Sequence, residues 1–213
     1  MKTLTKMLLV ANLLTSTSVF AQSETYQSAM KKGLELLSIA KTSESFVGTA
    51  NHFERIAMAE SQNWMPLYYS AYANLVAGLV SEDPNQKDQY FDKALSQIER
   101  ATVMSPDNSE IYTVKGYAQF MKMSVDPQSR FALIGDSNAS LGKAKQLDPQ
   151  NPRPYFVQGQ NTFYTPEAFG GGKSAAKKLL EEAVKKYDTY KAIADLAPSW
   201  GNERAKMLLA QCQ

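Results

Sequence analysis

Residues 94–120 read ALSQIERATVMSPDNSEIYTVKGYAQF, and residues 137–163 read SNASLGKAKQLDPQNPRPYFVQGQNTF, the same pattern displaced by 43 positions. Ile98, Ala101, Pro106, Asn108, Tyr112, Gly116 and Phe120 return as Leu141, Ala144, Pro149, Asn151, Tyr155, Gly159 and Phe163. A period of roughly 20–50 residues marks stacked supersecondary units, each too small to bury its apolar face alone. Arrays of this kind present extended surfaces to ligands, which turns the functional question towards binding and away from chemistry.

The matched residues make sense as two packed helices. Ala94-Ile98-Ala101 is followed by Ser137-Leu141-Ala144 and Ala176-Leu180-Ala183, and Ala50 and Ala57, with Phe53 and Ile56, suggest a further copy. Spacings of four and three put these side chains on one helix face. The small residues admit a neighbouring helix, and the aliphatic one fills the groove beside them. Proline at 106 and 149 stops each helix, and Asn108 or Asn151 is placed to cap the next. Tyr112 and Tyr155 each precede a glycine by four, a knob facing a gap where the two helices of a pair cross. Alternating β-branched runs are nearly absent, so the expected fold class is all-α.

The pattern Tyr-x3-Gly, then Ala-x3-Leu-x2-Ala-x4-Pro, resembles the tetratricopeptide (TPR) repeat. The resemblance covers roughly residues 23–212 and is strongest from 68 to 183. The units run longer than the usual figure of about 34 residues. The surplus falls at 81–88 and 124–130, both of which contain Asp-Pro and polar turn formers, and Asp188 stands where the last unit should have proline. The resemblance implies a right-handed superhelical solenoid of about four helix pairs plus a C-terminal capping helix. Its pairs are 23–63, 64–106, 107–149 and 150–190, and its cap is 199–212. Trp200, Met207 and Leu208 should face inward there, with Asn202, Glu203, Arg204 and Lys206 on the polar outer face.

The N-terminus reads differently. Lys2 and Lys6 precede a short apolar run at 7–14, and Val19-Phe20-Ala21 places small residues before a cut ahead of Gln22. This is the three-part pattern of a secretory signal peptide. A membrane anchor needs about 20 apolar residues, and Asn12, Thr15, Ser16 and Thr17 interrupt the run. We therefore expect a signal peptide at 1–21, a helical repeat domain at 22–213, and export to a periplasm or the extracellular space. The formal charge of +2 belongs to Lys2 and Lys6, so the mature chain is neutral. Nucleic acid needs a basic footprint and is not an expected partner; nor is membrane insertion of the mature chain expected. Cys212 is the only cysteine and His52 the only histidine.

Candidate chemistry is sparse. Gly170-Gly171-Gly172-Lys173-Ser174 ends like a phosphate-binding loop, but Glu167 stands where the first glycine belongs and no strand precedes it. It reads as an insert within the fourth pair, with Phe169 tucked against the array. The Phe169-Gly170-Gly171 element is similar to one in exported bacterial repeat proteins, including a subunit accompanying periplasmic solute-uptake systems. Glu181 and Glu182 are adjacent and fall on different sides of a helix. The usual catalytic constellations are missing, so no enzyme activity and no catalytic, cofactor-binding or metal residue is expected.

Aromatic residues crowd the first helices of the pairs, which line the concave surface in the resembled architecture. Tyr68, Tyr112, Tyr155, Phe120 and Phe163 recur and are read as core. Their neighbours Tyr69, Tyr117, Phe156 and Gln160, with Arg153, are the candidate partner-binding residues, since aromatic and Arg side chains supply rigid contact area. The expected function is a non-catalytic exported scaffold that binds a protein or peptide in a concave groove. The alternative is a periplasmic solute-binding accessory of an uptake system, in which the insert at 166–173 helps close a pocket.

Overall fold

In the computed structural model, which describes residues 24–191 and 195–212, helices follow the repeat almost register by register. The expected signal peptide lies outside the described residues. The first pair is α1 (24–39) and α2 (Ser43–Ala59). The second is α3 (Trp64–Val80) and α4 (Pro84–Met104). The third is α5 (Ser109–Val125), a single turn α6 (Pro127–Arg130) and α7 (Leu133–Leu147). The fourth is α8 (Arg153–Tyr164), a 3-10 turn (Glu167–Phe169) and α9 (Lys173–Thr189). The cap is α10 (Asn202–Ala210), packed on α8 and α9.

The punctuation works as its chemistry requires. Asn108 accepts hydrogen bonds from the backbone N–H groups of Glu110 and Ile111, and Asn151 accepts one from that of Arg153 at 3.0 Å. Each satisfies donors that a helix start leaves unpaired. The small-large-small triplets are buried throughout, with Ile98, Leu141 and Leu180 fully enclosed. Burying each such side chain is worth about 1.5–3 kcal/mol.

The knob opposite each repeat glycine differs from the expectation. A Cβ on Gly116 would lie 2.8 Å from Leu141 Cγ, and one on Gly159 would lie 2.8 Å from Leu180 Cδ2. The aliphatic residue of the second helix therefore fills the gap, while Tyr112 and Tyr155 remain only half-buried. Motif and glycine turn out to be two halves of one contact.

The surplus segments also take definite forms. Residues 84–88 are simply the first turn of a long α4, started by Asp83, whose side chain accepts from the Asn85 N–H. Residues 127–130 form α6, capped by Asp126. The two meet where Arg130 clasps the Asp88 carboxylate through both Nη atoms, the Nη2–Oδ2 bond being 2.9 Å, with Lys122 at 3.4 Å. The Arg130 hydrogen bond, with the Lys122 charge beside it, holds the Asp88 carboxyl below the usual carboxylate range.

Candidate functional site

The C-terminal halves of α3 and α5, the α6 turn, the end of α8 and the 3-10 turn surround one large groove. Its volume is about 1180 Å³. Tyr117, Phe120 and Met123 of α5 and Gln160 of α8 form its buried floor, and Tyr72 and Val76 of α3 line it half-buried. Phe131 and Phe169 stand at the rim, 59% and 68% exposed, with ring centroids 6.4 Å apart and planes at 61°. They come from segments 38 residues apart, and both line the groove.

Local physics puts each rim residue in place. The Arg130–Asp88 clasp ties α6 to α4 and thereby presents Phe131. The glycine run shapes the opposite rim. Gly170 and Gly172 have φ of +80° and +92°, which glycine adopts at little cost. The Gly170, Gly171 and Gly172 amides donate to Glu167 O, Pro166 O and Thr162 O at 2.9, 3.2 and 2.9 Å. Those amides are spent on closing the loop that carries Pro166 and Phe169 and do not form a phosphate cradle.

Behind the groove lies a polar and aromatic hub. The Glu110 carboxylate accepts from Arg153 Nε at 2.8 and 2.9 Å and Nη2 at 2.7 Å, from Asn151 Nδ2 at 2.8 Å and from Tyr68 Oη at 3.1 Å. Arg153 Nη2 also donates to Tyr190 Oη at 2.8 Å. Trp200 Nε1 donates to Tyr68 Oη at 2.8 Å, and its ring stacks on Tyr72 with centroids 4.7 Å apart. The hub thus joins the second, third and fourth pairs and the segment leading into α10. Burial opposes the Arg153 charge, but Glu110 outweighs it and leaves the guanidinium more firmly protonated than usual.

The five candidate partner-binding residues divide between these two places. Tyr117 and Gln160 line the groove, with Gln160 Nε2 donating to Tyr117 Oη at 2.6 Å. Burial raises the Tyr117 phenol above its ordinary pKa, so it stays protonated. Tyr69, Arg153 and Phe156 lie in the interior instead. Tyr69 donates to Leu196 O at 2.7 Å, Arg153 is the centre of the hub, and Phe156 meets Trp200 edge-on at 6.2 Å. Phe120, which its recurrence assigns to the core, is buried yet forms part of the groove wall.

Several groove residues escaped sequence reasoning. Val76 and Met123 look like any helix-face apolar residue, and Phe131 follows a segment legible only as surplus length. Arg204, assigned to the outer face of the cap, lines the groove and donates from Nη2 to Tyr164 Oη at 2.5 Å. Met207 is exposed rather than inward, whereas Leu208 is fully buried. Among the described residues no group of His, Cys, Asp and Glu could hold a metal ion, and no helix is long and apolar enough to cross a membrane.

Comparison with known proteins adds two solved structures. No protein-family model matches the chain, and no curated protein matches it. The chain is similar to the HusA haemophore from Porphyromonas gingivalis at 32% identity, covering 88% of this chain and 92% of that one with a TM-score of 0.78. A thermophilic TPR protein from Thermus thermophilus shares the fold at 17% identity, covering 88% of this chain and 98% of that one with a TM-score of 0.53.

Proposed function

The chain belongs to the family of the HusA haemophore, and from that premise we propose that it is an exported, non-catalytic carrier that holds a porphyrin such as haem in the groove between α3, α5 and the 165–169 loop. The observation that carries this reading is the groove itself. Ligand sites are concave, mostly apolar and roughly 300–1,000 Å³ in volume, with a few polar groups to fix orientation. A groove of about 1180 Å³ lined by Tyr72, Phe120, Phe131, Phe169, Met121 and Met123 suits a large flat apolar ring. Aromatic and thioether side chains give such a ring broad contact without needing a matched hydrogen-bond pattern.

Contact with the ring plane carries the binding in this reading. The only histidine, His52, belongs to α2, where its Nε2 lies 2.9 Å from Ala29 O, and it is not among the groove residues. Tyr117 and Gln160 keep the contact role read for them in the sequence, now towards the porphyrin. The insert at 166–173 closes one side of the site, as the solute-binder alternative requires. Export follows from the leader at 1–21, and N-terminal sequencing of secreted protein beginning at Gln22 would support it.

The test is a titration of purified chain 22–213 with haem, followed by the Soret absorbance, with a polypeptide-partner crosslink run in parallel. Saturation at one haem per chain supports the carrier reading. Absence of haem binding together with capture of a polypeptide in the groove would return the function to a protein scaffold.

A further inference from the structure

Among the described residues the groove lining has one charged side chain, Arg204, and it has no carboxylate partner. Arg130 and Arg153, by contrast, clasp Asp88 and Glu110. Arg204 has only the Tyr164 hydroxyl at 2.5 Å and the Met207 Sδ at 3.8 Å, a weak acceptor. A guanidinium carries five donors in a planar fork. One Nη2–H is engaged by Tyr164, which fixes the plane of the fork at the groove edge, and the remaining donors are free of strong protein acceptors. Among the described residues no Asp or Glu lines the groove to compete for the charge.

We propose that Arg204 is the specificity-determining residue of the groove, binding a carboxylate on the ligand and so fixing which way the ligand enters. The ligand is then an amphipathic acid: its apolar face lies towards Val76 and Met123, and its carboxylate lies at the α10 side against Arg204. Tyr164 is a positioning residue, accepting a hydrogen bond that holds the fork towards the groove. The inference rests on the porphyrin-carrier reading, since it supplies a carboxylate-bearing apolar ring. It also explains why a cationic residue stands at the edge of an otherwise uncharged, mostly apolar surface.

Wild type, Arg204→Gln and Tyr164→Phe would each be titrated with protoporphyrin IX and with its dimethyl ester, which keeps the ring and removes both acids. Circular dichroism melts confirm that the variants stay folded, as expected for exposed side chains. A charge-assisted hydrogen-bonded pair at a partly open site predicts that wild type binds the acid about tenfold tighter than the ester. Arg204→Gln should lose about that tenfold for the acid and change ester binding by less than about twofold. Tyr164→Phe should weaken the acid selectively and by less, about threefold. Equal affinity of wild type for acid and ester, or an Arg204→Gln effect shared by both, overturns the inference and leaves the carrier reading standing. Failure of wild type to bind either porphyrin overturns both.

Discussion

Replacing Glu110 by Gln strands a buried cation, and the structure sets the size of the effect. The Arg153 side chain is 1% exposed and Glu110 13% exposed, with three Arg153–Glu110 hydrogen bonds between 2.7 and 2.9 Å. Removing one partner of a buried pair costs about 3–5 kcal/mol, because the other charge keeps its desolvation penalty. Arg153 cannot escape by losing its proton, since guanidinium remains charged throughout the accessible pH range. At about 2–4 °C per kcal/mol for a chain of this size, the melting temperature should fall by about 6–20 °C. The double variant Glu110→Gln, Arg153→Met removes the stranded charge and should recover at least about half of that loss, as apolar replacements of buried pairs often do. Thermal melts followed by circular dichroism measure both. A loss below about 3 °C in the single variant, or a double variant no better than the single, would refute the hub's role.

Other outcomes follow from named contacts. Gly116→Ala forces a Cβ to within 2.8 Å of Leu141 Cγ and 3.0 Å of Ser137 O, and should cost about 1–3 kcal/mol in a urea melt. Leu141→Ala empties the other half of the same contact and should cost about 2–5 kcal/mol by the same measurement. Phe131→Ser changes an exposed rim residue, so stability should move by less than about 0.5 kcal/mol while porphyrin affinity drops several-fold in a spectroscopic titration. The Asp88 carboxyl titrates below its unfolded value of about 3.9, so the Arg130–Asp88 clasp stabilises the fold above that pH and is lost as pH falls through the lower folded value. Asp88→Asn should therefore melt lower than wild type at pH 7 and converge with it only as pH falls through that lower folded value.

The fold was legible because the residues that repeat are the ones that make the helix-pair contact. Pro106, Pro149, Asn108 and Asn151 act through local backbone chemistry, which needs no tertiary knowledge. The groove was less legible because its walls come from segments that do not repeat. Recurrence separates core from surface only where each unit meets the same neighbours. Tyr69 and Phe156 meet Leu196 and Trp200 of the segment leading into α10, which has no counterpart in the repeat, and so they are buried. Phe120 recurs as Phe163, yet it borders open space because α6 and the 3-10 turn hold the rim apart. Arg204 looked like a polar cap residue, and only the return of α10 against α8 brings it to the groove. The glycine run forms a loop between helices, as its composition implies, and its amide pairing shows why it need not cradle an anion.

The most direct test of the carrier account is equilibrium titration of chain 22–213 with haem, read by Soret absorbance and by tryptophan quenching. Trp200 stacks on the groove residue Tyr72 at 4.7 Å, so a ring seated there should quench it in step with the absorbance change. The account predicts one saturable site reported alike by both signals and weakened by Phe131→Ser. Haem uptake that leaves the tryptophan signal unchanged and is indifferent to Phe131→Ser, or no uptake at all, would contradict it.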